Sequence, residues 1–189
     1  MPADLLVVGL GNPGEEFART RHNAGAEVIE LLARRHGAKL KKSRRDRAIV
    51  GEARIGTAKV TLAIPTTYMN DSGLSVAPLA KHHSVTPAQI VIVHDELDLP
   101  PAALRVKVGG GLAGHNGLRS IKHHLHSDEF VRVRIGVGKP PSKERGADHV
   151  LSRQSRRDRE EMAVTIEQAA DAVETIISDG PDAAMNRFN

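Results

Sequence analysis

Residues 5–10 form an unbroken apolar run that stops at Gly11, and a helical repeat rather than a second alternating segment follows it. An apolar run of this kind reads as a strand buried on both faces. Such a strand needs helices above and below it, which commits the chain to a layered sheet-and-helix fold. The remaining pattern agrees. Val28, Ile29 and Leu32 share one face of a helix expected from Thr20, its cap, to about His36, with Gly37 as the stop. Residues 48–55 and 59–64 predict a strand pair around Gly56 and Thr57, and Ser72 predicts the cap of a helix that turns Val76, Leu79 and Ala80 inward. Residues 89–93 read as another buried strand, whereas 104–108 and 131–135 alternate and read as half-exposed. Leu118, Ile121 and Leu125 mark a short helix after the glycine-rich stretch 109–117. Met162, Ile166, Ala169, Val173 and Ile177 line the last helix, ended by Gly180 and Pro181. With 189 residues, no repeat and no long linker, the expectation is one domain over 1–189. Its class is α/β, a single domain with a twisted mixed, mostly parallel sheet flanked by helices.

Composition narrows the function classes. There is no cysteine, so disulfides, thiolate metal sites and a thiol nucleophile are all excluded. Residues 1–4 lack a basic lead, and no apolar stretch approaches the length of a membrane span. The expected compartment is the cytoplasm. A net charge of +4 suits either a polyanionic partner or merely a basic soluble protein. Phe17, Tyr68, Phe130 and Phe188 are the only aromatic residues. A nucleic-acid partner would therefore be held through phosphates and shape rather than by stacked bases.

In α/β folds ligands sit at the carboxyl ends of strands. Just past the predicted strands come Asn12, then Tyr68 to Asn70, then His94 and Asp95, while His22 and Asn116 fall near helix starts. Three Asn, one His and one Asp supply a base, an orienting carboxylate and neutral hydrogen-bond donors. The positive end of a helix dipole disfavours imidazolium, which keeps His22 able to accept a proton.

Other motifs compete for attention. Residues 9–14 are a literal GxGxxG after a strand, but Pro13 interrupts where a dinucleotide-binding helix should open. The glycines are read instead as shaping a tight loop that presents Asn12. His82, His83, His123, His124 and His126 lack the HExxH spacing of a metal helix and are read as solvated helix-end residues. No GxSxG elbow occurs. The six cations within 39–47 are read as a solvated loop with at most a secondary role. Arg105 with Lys107, and Arg132 with Arg134, each share a strand face, and together predict a phosphate clamp.

Residues 9–14 and 20–25, then Pro65 to Asn70 with Ser72 and Gly73, His94 to Pro101, Gly114 to Leu118, Arg132 to Gly138 and Ala184 to Phe188 follow one another in the order found in bacterial peptidyl-tRNA hydrolases. The chain resembles that family over nearly its whole length. The resemblance implies a monomeric α/β enzyme, with peptidyl-tRNA as its partner and substrate and without membrane, metal or cofactor. It implies that His22 is the general base for water, that Asp95 holds its tautomer, and that Asn12 positions His22 or the substrate. Asn70 and Asn116 would bind the peptide main chain and the tRNA 3′ end, Met69 would pack the groove, and Phe17 would line it. Arg105, Lys107 and Arg134 would grip tRNA phosphates. Phe17 replaces a common Tyr, and Ala102 and Ala113 replace common glycines, so the local turns are expected to differ. Two other readings stay open: a catalytically idle tRNA-binding relative, and a nucleotide-dependent oxidoreductase resting on GxGxxG alone.

Overall fold

The computed structural model describes residues 4–189; residues 1–3, on which the expectation of no leader partly rests, lie outside the described residues. Seven strands form one sheet in the order β2-β3-β4-β1-β5-β7-β6. They are β1 (Leu5–Gly9), β2 (Lys41–Ser43), β3 (Ala48–Ile55), β4 (Ala58–Pro65), β5 (Ile90–Glu96), β6 (Leu104–Val108) and β7 (Val131–Gly136). The central strands β4, β1, β5 and β7 pair in parallel, while β2, β3 and β6 join by antiparallel pairing. Alternation along β1 divides the core. Val7 faces a layer made by α1 (Ala24–His36), α5 (Arg156–Asp179) and α6 (Pro181–Phe188). Leu6 and Val8 face the opposite layer, made by α2 (Gly73–His82) and α3 (Asn116–Leu125). The α/β architecture is thus the one expected: a mixed sheet between helices.

Several boundaries differ, each for a local reason. The first helix is preceded by a 3-10 turn, Arg21–Asn23, and α1 proper begins at Ala24. Thr20 Oγ1 donates back to the Phe17 carbonyl rather than capping forward. Ser72 likewise donates to the Met69 carbonyl and caps nothing. Strand β5 continues through His94 and Asp95 to Glu96, because pairing with β7 extends that far. Pro181 opens α6 at its first position instead of ending the chain's helices, a place where its missing N–H costs nothing. The cations at 41 and 42 lie on β2, an edge strand, where lysine discourages pairing with a foreign strand.

Gly9, at the end of β1, and Gly25, in the first turn of α1, serve close packing. A Cβ on Gly9 would stand 2.1 Å from the Gly25 carbonyl oxygen, and one on Gly25 would stand 2.1 Å from that of Val93. Helix α1 therefore rests its first turn directly on the backbones of β1 and β5. Ala102 (φ 70°) and Ala113 (φ 51°) keep the left-handed backbone despite their methyl groups. Both positions therefore carry local backbone strain.

Candidate active site

The carboxyl ends of β4, β1 and β5 lie side by side, and the loops leaving them wall a cleft of about 500 Å³. Asn12, Phe17, His22, Met69, Asn70, Asp95 and Asn116 all line it. Residues far apart in the chain thus meet where the strand-end rule places them.

His22 sits in the 3-10 turn before α1. Its neighbours fix that turn from both sides. Arg21 reaches outward to the His149 carbonyl and to Asp158, while Asn23 reaches inward and clasps both backbone groups of Asn12, at 2.8 Å each. Gly11 leaves room for the clasp, since a Cβ there would meet the Asn23 amide at 2.8 Å. His22 Nδ1 lies 2.8 and 2.9 Å from the two Asp95 oxygens. A carboxylate can only accept, so Nδ1 carries the proton and Nε2 keeps its lone pair free. Asp95 is 2% exposed. Burial alone would raise its carboxyl, but the charges and hydrogen bonds of His22 and His115 outweigh burial and hold it well below the usual carboxylate range.

Among the described residues no hydrogen bond joins Asn12 to His22. Asn12 Oδ1 accepts from the Met69 N–H at 2.6 Å, tying the loop after β1 to the loop after β4. That bond orients the amide and leaves its NH₂ with no protein acceptor among the described residues. Asn70 and Asn116 are exposed in the cleft wall, and Met69 is buried against Gly117 at the start of α3.

His115, outside the set expected at strand ends and helix starts, also belongs to the site. Its Nε2 lies 2.9 Å from Asp95 Oδ1, and its Nδ1 accepts from the backbone N–H groups of Gly117 and Leu118. The usable signal was an imidazole directly before a helix start, a capping position. Tyr68, expected at this strand end, lines the cleft edge-on to Phe17 with ring centroids 6.4 Å apart, and Glu96 lines it unforeseen.

His22, Asp95 and His115 place donor atoms within 4.8 Å of one another, so the cluster must be tested as a metal site. Both imidazole nitrogens facing Asp95 carry protons given to the carboxylate, and the other nitrogen of His115 is occupied by backbone N–H groups. No pair of free lone pairs converges there, and we assign no metal ligand among these residues.

The predicted phosphate clamp needs correction. Arg105, Lys107, Arg132 and Arg134 do share one sheet face, since Arg105 registers with Arg134 and Lys107 with Arg132. They lie outside the cleft lining. Arg132, however, is 1% exposed and donates to the carbonyls of Gly110, Gly111 and Asp128. It ties down the glycine-rich loop and cannot meet solvent, and β7 is buried rather than half-exposed. Arg134 is paired with buried Glu96 at 3.0 Å. Arg105 and Lys107 have no carboxylate partner among the described residues.

His94 is fully buried beside this centre, donating from Nδ1 to the Asp95 carbonyl at 2.7 Å, and its Nε2 has no partner. Burial, with the neighbouring His115, pushes its pKa down from 6.5 to about 3. In that window the unfolded chain binds a proton that the folded chain refuses, so stability is lost as pH falls, by up to about 1.4 kcal/mol per pH unit. We expect the urea midpoint to drop between pH 6.5 and 4, and the drop to flatten in His94→Asn. A midpoint equally pH-dependent in both proteins would assign the effect elsewhere.

The fold and this site together define an α/β enzyme of the hydrolase class. A family model described as peptidyl-tRNA hydrolase matches residues 6–189, and the chain belongs to that family. It is 51% identical to the peptidyl-tRNA hydrolase of Mycobacterium marinum, covering 100% of this chain and 99% of the relative. Against that of Mycolicibacterium vanbaalenii the identity is 49%, over 98% and 97%. The crystal structure of peptidyl-tRNA hydrolase from Acinetobacter baumannii superposes with a TM-score of 0.94 at 44% identity, covering 98% of this chain and 94% of that one.

Proposed function

We propose that this protein hydrolyses the ester joining a peptide to the 3′ end of tRNA, releasing both for reuse in translation. Membership of the family, with the His22–Asp95 pair intact and open to the cleft, carries this reading over that of an idle tRNA-binding relative. His22 Nε2 takes a proton from water as the water oxygen attacks the ester carbonyl. Asp95 stabilises the imidazolium so formed. The developing oxyanion is met by neutral amide donors, the free NH₂ of Asn12 first among them. The acyl–oxygen bond then breaks, and His22 returns its proton to the departing ribose oxygen. No cofactor enters this sequence.

The NH₂ groups of Asn70 and Asn116 can donate to the acyl carbonyl of an N-acylated residue, an acceptor that a free ammonium group lacks, which favours peptidyl over aminoacyl esters. Phe17 and Met69 pack beside the peptide. Arg105 and Lys107, with Arg134 once a phosphate competes with Glu96, take the tRNA backbone. We read the chain as a monomer with one domain over 1–189, and the single continuous sheet of the described residues supports the one-domain part of that reading. Among the described residues no helix is long and apolar enough to cross a membrane, and translation places the substrate in the cytoplasm. The test compares release of N-acetylaminoacyl and unblocked aminoacyl groups from tRNA. We expect cleavage of the blocked ester only, with Lys107→Ala raising KM and flattening its salt dependence by about one phosphate contact. Equal cleavage of both esters would defeat the selectivity argument. Salt-sensitive tRNA binding without cleavage of either would favour the idle relative.

A further inference from the structure

Asp95 serves two imidazoles at once, and only one of them can act as a base. The second, His115, is fixed by its surroundings. Two backbone N–H groups at the start of α3 donate to its Nδ1, at 3.1 and 3.3 Å, so that nitrogen must be bare. The proton therefore resides on Nε2, which donates to Asp95 Oδ1 at 2.9 Å. Protonating His115 would break both bonds at the positive end of α3, where an added cation is disfavoured. His115 thus donates to the carboxylate while its other nitrogen accepts from the helix start, and it passes the polarity of the helix terminus on to Asp95.

We propose that His115 is a positioning residue that sets the basicity of His22 through their shared carboxylate. Each hydrogen bond that Asp95 accepts from His115 lowers the charge it can offer to an imidazolium at His22. The donor keeps His22 from being trapped in its protonated, inactive form, and it holds Asp95 in the plane that orients the His22 ring. The two rings sit on the one carboxylate with centroids 5.3 Å apart. Other charged groups around the His22 turn are engaged elsewhere or exposed. On β5, Glu96 pairs with Arg134, and His94 is bonded to the Asp95 carbonyl. Arg132 of β7 holds loop carbonyls. On α1, Glu27 pairs with Arg159, and within the turn Arg21 pairs with Asp158. From α4 (Gly146–Leu151), His149 is bonded to the Val137 carbonyl and Asp148 is exposed. Asp95 is the sole side chain hydrogen-bonded to His22 among the described residues, so His115 has a direct route to it.

The inference rests on His22 being the base, and two substitutions separate its parts. An Asn side chain matches the Nδ1 edge of histidine and can still serve the helix start, but it is too short to reach Asp95. A Gln side chain matches the Nε2 edge and can restore the donor to Asp95. We would follow the His22 ring by NMR across pH and measure kcat/KM for N-acetylaminoacyl-tRNA across the same range. In His115→Asn the ring midpoint and the acidic limb of kcat/KM should both rise by about one pH unit, as loss of one hydrogen bond to a charged group implies. In His115→Gln both should return to the values of the unsubstituted enzyme. An unmoved ring midpoint in His115→Asn, or an equal shift in both variants, would overturn the proposal. A ring midpoint that moves while the acidic limb stays would uphold the coupling and remove His22 as the base.

Discussion

Replacing His22 by Asn should lower kcat for N-acetylaminoacyl-tRNA by about a thousandfold, within the 10²–10⁴ range attributable to general-base catalysis, while leaving affinity for tRNA unchanged. The substitution is selective in a way the geometry makes plain. An Asn amide occupies the region of Nδ1 and can still donate to Asp95, whose oxygens lie 2.8 and 2.9 Å from that nitrogen. What disappears is Nε2, the one ring position with a free lone pair facing the cleft. The buried carboxylate thus keeps a partner, and the fold should hold. Affinity should hold as well, because the cations offered to phosphates lie on β6 and β7, outside the cleft. Equilibrium binding of tRNA and single-turnover hydrolysis, measured on the same preparation, separate the two effects. A variant that lost both together would point to a disrupted structure instead of a missing base.

The second large effect is expected far from any reacting group. Gly25→Ala should destabilise the protein by about 3 kcal/mol or more, at the upper end for overpacking. For a chain of this length that is a fall in melting temperature of roughly 6–12 °C. The new methyl would stand 2.1 Å from the Val93 carbonyl oxygen and 2.8 Å from the Leu10 nitrogen, both backbone atoms that cannot rotate aside. Relief requires α1 to lift from β1 and β5. That movement carries the His22 turn with it, because Ala24 and Gly25 follow directly on Asn23. We therefore expect kcat to fall along with stability, even at temperatures where the variant remains folded. Thermal unfolding monitored by circular dichroism checks the first part, and a melting temperature within 2 °C or so of the parent would show that α1 has more freedom than its packing suggests.

These two residues illustrate how differently the chain displays its fold and its site. The sheet was legible because β1 and β5 are written as apolar runs and β3 and β4 as a strand pair around Gly56 and Thr57, and such patterns need no tertiary knowledge. The meeting of Asn12, Met69, Asn70 and Asp95 was legible as well, since strand ends in an α/β fold converge on one edge. Other features depended on what covers what. Arg132 and Arg134 alternate identically in sequence, yet the glycine-rich loop lies over the first and leaves the second beside Glu96. Periodicity assigns a face and says nothing of the loop above it. Strand β5 ran three residues longer than its apolar run because its polar end pairs with β7, His94 with Arg134, Asp95 with Ile135 and Glu96 with Gly136. Strand β2 has only three residues, two of them lysine, and no strand pattern. His115 was hidden for a similar reason: its meaning lies in Asp95, which joins it only after β5 and α3 have docked.

In the proposed mechanism one water, activated by His22, attacks the ester directly. Rapid-quench analysis with enzyme in excess over N-acetylaminoacyl-tRNA, run in ¹⁸O-labelled water, tests it most directly. Free tRNA and N-acetylamino acid should appear with the same single exponential, and the label should enter the carboxylate alone. A burst of free tRNA ahead of the acid would reveal an acyl group held by the protein, and would contradict the mechanism.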